Sequence, residues 1–232
     1  MTAAGSITAL SGTALGCIRG GRRLFAGLDF HLPAGSALVL TGRNGAGKTS
    51  LLRVVAGLQQ AAEGGVRLHG APADEPVASY LHFISHLDAI KAAATVHETL
   101  NFWAAWLGTG PGAAAAPLPP TGIDDALDRL GLGDLADLPA GHLSAGQRRR
   151  LALARLLVAP RPLWLADEPT AALDRAGEAL FGTLVAEHLA AGGLLMAATH
   201  QPLPVADTLG LEIGRRAAPV GEDEIPGEEE TR

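Results

Sequence analysis

Gly42-Arg43-Asn44-Gly45-Ala46-Gly47-Lys48-Thr49 decides how the rest of the chain is read. It lies between an apolar run, Ala37 to Thr41, and a helical pattern, Ser50 to Ala56. The stretch fits the phosphate-loop pattern G-x-x-x-x-G-K-[ST] in the strand, loop, helix order that the pattern requires. Glycines permit the backbone dihedrals that turn successive N–H groups toward phosphate oxygens, and the following helix offers its positive end. Lys48 is expected to reach the β and γ phosphates of a nucleotide, and the Thr49 hydroxyl to ligate magnesium. Ser50 continues the same contact surface into the helix. Only Lys48 and Lys91 are lysines among the 18 basic residues, so the chain otherwise prefers arginine. A compact ammonium suits a cramped backbone cradle, whereas a planar guanidinium does not.

Outside this loop, composition sets bounds. The chain has 232 residues, and no Pro/Ser-rich linker divides it into independent cores. With 47% hydrophobic residues it can bury a substantial α/β core. A net charge of −6 and a pI of about 5.7 argue against a partner that is nucleic acid held by phosphate neutralisation. Cys17 is the single cysteine, which excludes an internal disulfide and a cysteine-based zinc cluster; it reads as a small core residue. No basic region followed by a long apolar segment opens the chain, so no signal peptide is expected. The longest uncharged stretch, Asn101 to Ile123, is interrupted by Gly108, Gly110, Pro111, Gly112, Pro117, Pro119 and Pro120. It therefore reads as a helix end followed by a mobile loop, Gly108 to Gly122, and not as a membrane span.

Thr8 to Ile18 and Leu24 to Leu32 flank Gly20-Gly21-Arg22-Arg23 and read as a hairpin before the phosphate-loop strand. Glu63-Gly64-Gly65 reads as a turn before a short strand, Val66 to His69. From Thr95 the period becomes helical: Val96, Leu100, Trp103, Ala104 and Leu107 share a face, and Thr95 with Glu98 forms a capping-box signature. Further helices are expected over Asp124 to Leu130 and from Ser144 toward Val158. The predicted organisation is one α/β domain with a β-rich N-terminal part. Residues 1–94 and 159–213 form the core, 95–158 are an inserted helical subdomain, and an acidic tail, 217–232, reads as disordered solvated charge.

Leu163-Trp164-Leu165-Ala166 is a continuous apolar run suited to a buried parallel strand, and it ends in Asp167-Glu168-Pro169. An aspartate there can hold magnesium, and the adjacent glutamate can polarise the water that attacks a γ-phosphate. About twenty residues earlier stands Leu143-Ser144-Ala145-Gly146-Gln147, where Ser144 and Gln147 suit a capped helix start that also offers an anion site. A helix from Ala176 to Ala190 and a buried strand from Leu194 to Thr199 complete a βαβ rhythm.

In combination these motifs resemble the ATP-binding cassette (ABC) of ABC transporters, a P-loop NTPase fold. Leu143 to Gln147 is similar to the signature LSGGQ with one Gly to Ala change, and Leu163 to Glu168 to the Walker B strand with its catalytic glutamate. Ala172-Leu173-Asp174 resembles the D-loop, and His200 the switch histidine. Order and spacing agree from about residue 8 to 213. The resemblance implies a head-to-tail homodimer or pseudodimer with two ATPs sandwiched between subunits, each between Gly42 to Thr49 of one and Ser144 to Gly146 of the other. It further implies Glu168 as general base, Asp167 and Thr49 on magnesium, His200 at the γ-phosphate, and Asp174 communicating across the dimer.

Two positions depart from the family pattern. His86 stands where a glutamine is expected, either as a nucleotide-site residue in reach of the magnesium or as an ordinary loop residue. Arg19 stands near the place of the aromatic that stacks on adenine, and a guanidinium can stack on a base. His86 in Ser-His-Leu-Asp-Ala-Ile-Lys, the form Leu-Ser-Ala-Gly-Gln-Arg-Arg-Arg, and Thr199-His200-Gln201-Pro202 narrow the resemblance to the haem-exporter ATPases of cytochrome c maturation. That implies an ATPase held at the cytoplasmic face of the bacterial inner membrane by integral permease subunits, coupling hydrolysis to haem export or to release of a haem-loaded chaperone. Direct haem ligation is not expected, because there is no Cys-x-x-Cys-His motif and the eight histidines are dispersed. Two other readings are weighed against this one: an ATPase of a different exporter or lipoprotein-release machine, and a soluble, non-transport ABC ATPase.

Overall fold

The computed structural model describes residues 6–85, 89–171, 173–200, 203, 205 and 208–214. His86, Ala172, Gln201-Pro202 and the stretch 217–232 lie outside the described residues. The chain runs β1 (Ala9–Arg19), β2 (Arg22–Pro33), β3 (Ala37–Thr41), α1 (Lys48–Val55), β4 (Glu63–His69), β5 (Leu81–Ile84), α2 (Val96–Leu107), α3 (Pro111–Ala114), α4 (Ile123–Arg129), α5 (Ala145–Val158), β6 (Leu163–Asp167), α6 (Arg175–Ala190), β7 (Leu194–Ala198) and β8 (Thr208–Glu212).

Two sheets result. One is antiparallel, in the order β2-β1-β4, and the other is parallel, in the order β5-β6-β7-β3-β8. The hairpin closes on Gly20 and Gly21, both at positive φ (56° and 74°), as a two-residue turn between right-twisted strands needs. Glu63-Gly64-Gly65 is not a turn but the start of β4, paired across to Thr13 and Gly16 of β1. The reason is a bulge: the register shifts between Thr13 and Gly16, and Gly64 passes so close to the backbone of Thr13 and Ala14 that any Cβ there would collide.

Strands β3, β6 and β7 of the parallel sheet bury both faces, which explains their unbroken apolar runs. Trp164, Ala166, Leu195 and Ala197 face a cluster shared with α2, α4, α5 and α6. Leu163, Leu165, Leu194 and Met196 face the other cluster, shared with Leu10, Leu15 and Leu32 of the antiparallel sheet and with Leu51 and Leu52 of α1. Helix α1 is thereby clamped between the sheets. Full burial of Leu51 and Leu52 contributes about 2 kcal/mol each, so the helix that follows the phosphate loop is firmly seated. Cys17 is buried in this second cluster, with the Gln59 side-chain amide 2.9 Å from its sulfur.

Segment 108–122, expected to be a mobile loop, contains α3 and is tied down. The buried Arg161 guanidinium donates to the carbonyls of Leu107 and Thr109, and the Thr121 N–H donates to Leu157 O at 2.9 Å. Gly112 fits against Arg161 and Ser79, where no larger residue would. No helix among the described residues is long and apolar enough to cross a membrane.

Candidate functional site

Register brings the site together. In the parallel sheet Leu40 of β3 and Asp167 of β6 both pair with Ala198 of β7, so the chain leaves all three strands at one level. Loops at the carboxyl ends of parallel strands are where such sheets bind ligands. The phosphate loop leaves β3, Glu168 leaves β6, and Thr199-His200 leave β7, all at that edge. Arg19, Asn44, Gly45, Gly47, Lys48, Thr49, Ser50, Asp167, Glu168 and His200, with Leu24 and Ala171, line one cavity of about 670 Å³.

Within the loop, Gly42 (φ 129°), Gly45 (φ 77°) and Gly47 (φ 112°) adopt backbone conformations that side-chain-bearing residues avoid. At Gly42 a Cβ would also run into the Ile213 carbonyl, and at Gly47 it would press on Leu24 and Phe25. The nearly buried Lys48 ammonium donates to Gly42 O at 2.8 Å and Arg43 O at 3.4 Å, which curls the loop around it. Arg43 and Ala46 line the opposite side of the loop, away from this cavity.

The Thr49 hydroxyl donates to Asp167 Oδ1 at 3.1 Å. A hydroxyl and a carboxylate so joined, from α1 and β6, are the hard oxygen donors that magnesium takes, so the residues present fit that ion. Glu168 has φ 49°, unusual for a residue with a side chain. Its N–H donates to Ala198 O at 2.8 Å, and its Oε1 lies 3.7 Å from His200 Nε2. Both side chains are partly exposed to the cavity.

Leu143, Ser144, Ala145, Gly146 and Gln147 do not line this cavity. Leu143 is buried and anchors the start of α5, while Ser144 and Ala145 are exposed. Ser144 caps α5 reciprocally: the Gln147 N–H donates to Ser144 Oγ at 3.2 Å, and the Ser144 N–H to Gln147 Oε1 at 2.9 Å. Asp174 caps α6 by accepting from the Gly177 N–H at 2.7 Å and receives Arg150 Nη2 on both carboxylate oxygens, at 2.8 and 3.0 Å. The Gly177 N–H first, then Arg150, hold its carboxyl below the usual aspartate range.

Sequence reasoning did not single out Leu24, Ala171 or Arg149. The first two line the cavity, and nothing in an apolar residue marks such a place. Arg149 is buried beneath Glu168, yet in the sequence it is one of three like residues in a row. His82, four residues before His86 in sequence, is buried and its Nε2 lies 2.6 Å from Ala159 O.

Residues 25–171 match the family described as ABC transporter, and the chain belongs to it as an ATP-binding cassette ATPase. The chain is 50% identical over 208 residues, covering 90% of its own length and 99% of the relative, to the cytochrome c biogenesis ATP-binding export protein CcmA of Rhodopseudomonas palustris strain HaA2. It is also 50% identical over 205 residues to the protein of that name from Bradyrhizobium diazoefficiens, covering 88% of this chain and 98% of the relative. It is therefore a member of the CcmA family of cytochrome c biogenesis ATP-binding proteins. Among solved structures, a putative ABC transporter ATP-binding protein from Pyrococcus furiosus superposes with a TM-score of 0.71 at 19% identity, over 89% of this chain and 98% of that one. The cbiO1 protein of Clostridium perfringens, part of the ABC transporter complex cbiONQ, gives 0.67 at 24% identity, over 84% and 80%. At those identities the likeness speaks for the fold.

Proposed function

We propose that the chain is the ATP-hydrolysing subunit of a membrane complex in c-type cytochrome biogenesis, coupling hydrolysis to haem export or to release of a haem-loaded chaperone. The observation that carries this reading is the half-site. Phosphate loop, Thr49–Asp167 pair, Glu168 and His200 share one cavity, while the signature start, Ser144 to Gly146, with Ser144 and Ala145 exposed, is outside it. A second copy, arranged head to tail, would bring its own Ser144 to Gly146 over the ATP and complete each of two sites. The near-complete overlap with the CcmA relatives supports the biological setting.

In this reading Gly42 to Ser50 bind the phosphates and Arg19 stacks on the base. Thr49 and Asp167, with His86 as a further candidate, would hold magnesium, which would supply charge neutralisation at the phosphate oxygens. Glu168 accepts a proton from the attacking water, and His200, hydrogen-bonding to the γ-phosphate and that water, keeps the water in line. Asp174 relays the state of one site to the other. The helical segment 95–158 docks on integral permease subunits at the cytoplasmic face of the bacterial inner membrane. Phe102 and Trp106 on α2, 58% and 70% exposed with rings 5.6 Å apart, supply an aromatic patch for that contact, whereas Trp103 is buried and serves the core. Neither nucleic acid nor directly ligated haem is part of this reading.

The test is isolation of the Glu168→Gln variant from membranes in the presence of ATP. It is expected to retain bound ATP, to lose steady-state turnover and keep only a slow residual hydrolysis seen in single-turnover assays, and to bring integral membrane subunits with it. Hydrolysis at the wild-type rate would remove Glu168 from the role, and isolation without any membrane subunit would remove the transport setting.

A further inference from the structure

Of Arg148, Arg149 and Arg150, the middle residue turns inward: Arg149 is 3% exposed, although it carries a full guanidinium. Its fork gathers backbone carbonyls from two loops. Nε and Nη2 donate to Pro169 O at 3.2 and 3.0 Å, Nη2 also reaches Glu168 O at 3.5 Å, and Nη1 donates to Ser85 O. The residue thus sits on the second turn of α5 and grips the chain just after β6 and just after β5.

The place gripped is unusual. Glu168 adopts φ 49°, a conformation that persists only where its surroundings enforce it. On one side its N–H is bonded to Ala198 O at 2.8 Å, which fixes it to the end of β7. On the other side the carbonyls of Glu168 and Pro169 are held by Arg149. A buried guanidinium satisfied by carbonyls is costly to displace, and its planar geometry fixes direction as well as distance. The direction in which the Glu168 carboxylate leaves the backbone is set between these two anchors.

We infer that Arg149 is a positioning residue for ATP hydrolysis, acting through the Glu168 backbone. The inference rests on the reading of Glu168 as general base. It also gives α5 two duties: its first turn presents Ser144 to Gly146, and its second turn holds Glu168 of the same subunit. A shift of α5 on engaging the neighbouring copy's nucleotide is passed to Glu168 through one side chain.

Arg149→Lys keeps the charge but has no planar fork able to serve both loops. In the full-length protein, steady-state hydrolysis is expected to show kcat lowered by about 10- to 100-fold with KM for ATP unchanged, as for a displaced catalytic group. Arg149→Gln, which keeps one planar amide donor, serves if the lysine variant fails to fold and is expected to show the same split. Combining either with Glu168→Gln separates position from bulk stability in single-turnover assays. A residue that acts through Glu168 adds no further loss once that carboxylate is gone. Wild-type kcat in the Arg149 variants, a change in KM alone, or losses that multiply in the double variant would each overturn the inference. If instead Glu168→Gln by itself retains wild-type turnover, the reading of Glu168 fails first, and the inference with it.

Discussion

Two histidines show how much a single buried side chain can report. His82, on β5, is enclosed, and burial pushes its pKa down to about 3, with the nearby Arg155 guanidinium acting in the same direction. His188, on α6, stacks on Trp164 with ring centroids 3.9 Å apart, and burial lowers its pKa to about 4. Both are neutral in the folded protein, each with a ring nitrogen near a carbonyl, Ala159 O or Leu194 O. Between the ordinary value of 6.5 and these depressed values the unfolded chain binds protons that the folded one refuses. Stability is therefore retained above about pH 6.5 and lost as pH falls below it, by about 1.4 kcal/mol per pH unit for each group. Urea unfolding measured from pH 7 down to pH 5 checks this. His82→Gln, which keeps a donor for Ala159 O but does not titrate, is expected to flatten the slope by one group's share; an unchanged slope would refute the assignment. Lys48 is the opposite case, a charge kept at low exposure because Gly42 O and Arg43 O receive it, with a phosphate as its proposed partner.

At the scale of elements, two helices begin with the same reciprocal cap and differ in what the cap is for. Thr95 and Glu98 close the start of α2, with bonds of 3.0 and 2.8 Å, in the same pattern as Ser144 and Gln147 on α5. Thr95→Ala and Ser144→Ala are each expected to cost about 1 kcal/mol of stability in denaturant unfolding. Only Ser144→Ala is expected to lower ATP turnover as well, since in the proposed dimer its hydroxyl proton is offered to a neighbouring nucleotide; equal turnover in both variants would reduce Ser144 to a cap. Both caps were legible in the sequence, because a capping box depends on residues three apart. So were β3, β6 and β7, whose apolar runs reflect burial on both faces, and the phosphate loop, whose pattern is local. Strands β5 and β8 were not legible. Each is short, β8 is largely exposed with Gly210 at its centre, and its existence depends on the edge that β3 offers it. Arg149 was hidden for the same reason: nothing local distinguishes it from Arg148 and Arg150, and only the packing of α5 against two loops selects it.

In the proposed head-to-tail reading, the molecule as a whole is organised around a site that one copy leaves incomplete. Its parallel sheet aligns three strand ends so that the phosphate loop, the Thr49–Asp167 pair and Glu168 meet at one edge, while the capped start of α5 is presented elsewhere. If two copies complete each other head to tail, damage to the phosphate loop and damage to the signature are complementary defects. Lys48→Ala ruins one half-site and Ser144→Arg, which puts a bulky cation where phosphate should approach, ruins the other. Neither variant alone is expected to hydrolyse ATP. Mixed together they form a heterodimer with one composite site built from two intact halves, the phosphate loop of the Ser144→Arg copy and the signature of the Lys48→Ala copy. Hydrolysis should then appear on mixing, reach its maximum near equal amounts, and vanish on dilution as the pair dissociates. Activity in the Ser144→Arg protein by itself, or none in the mixture under conditions where the heterodimer is seen to form, would mean that the signature of one chain does not serve the nucleotide of another.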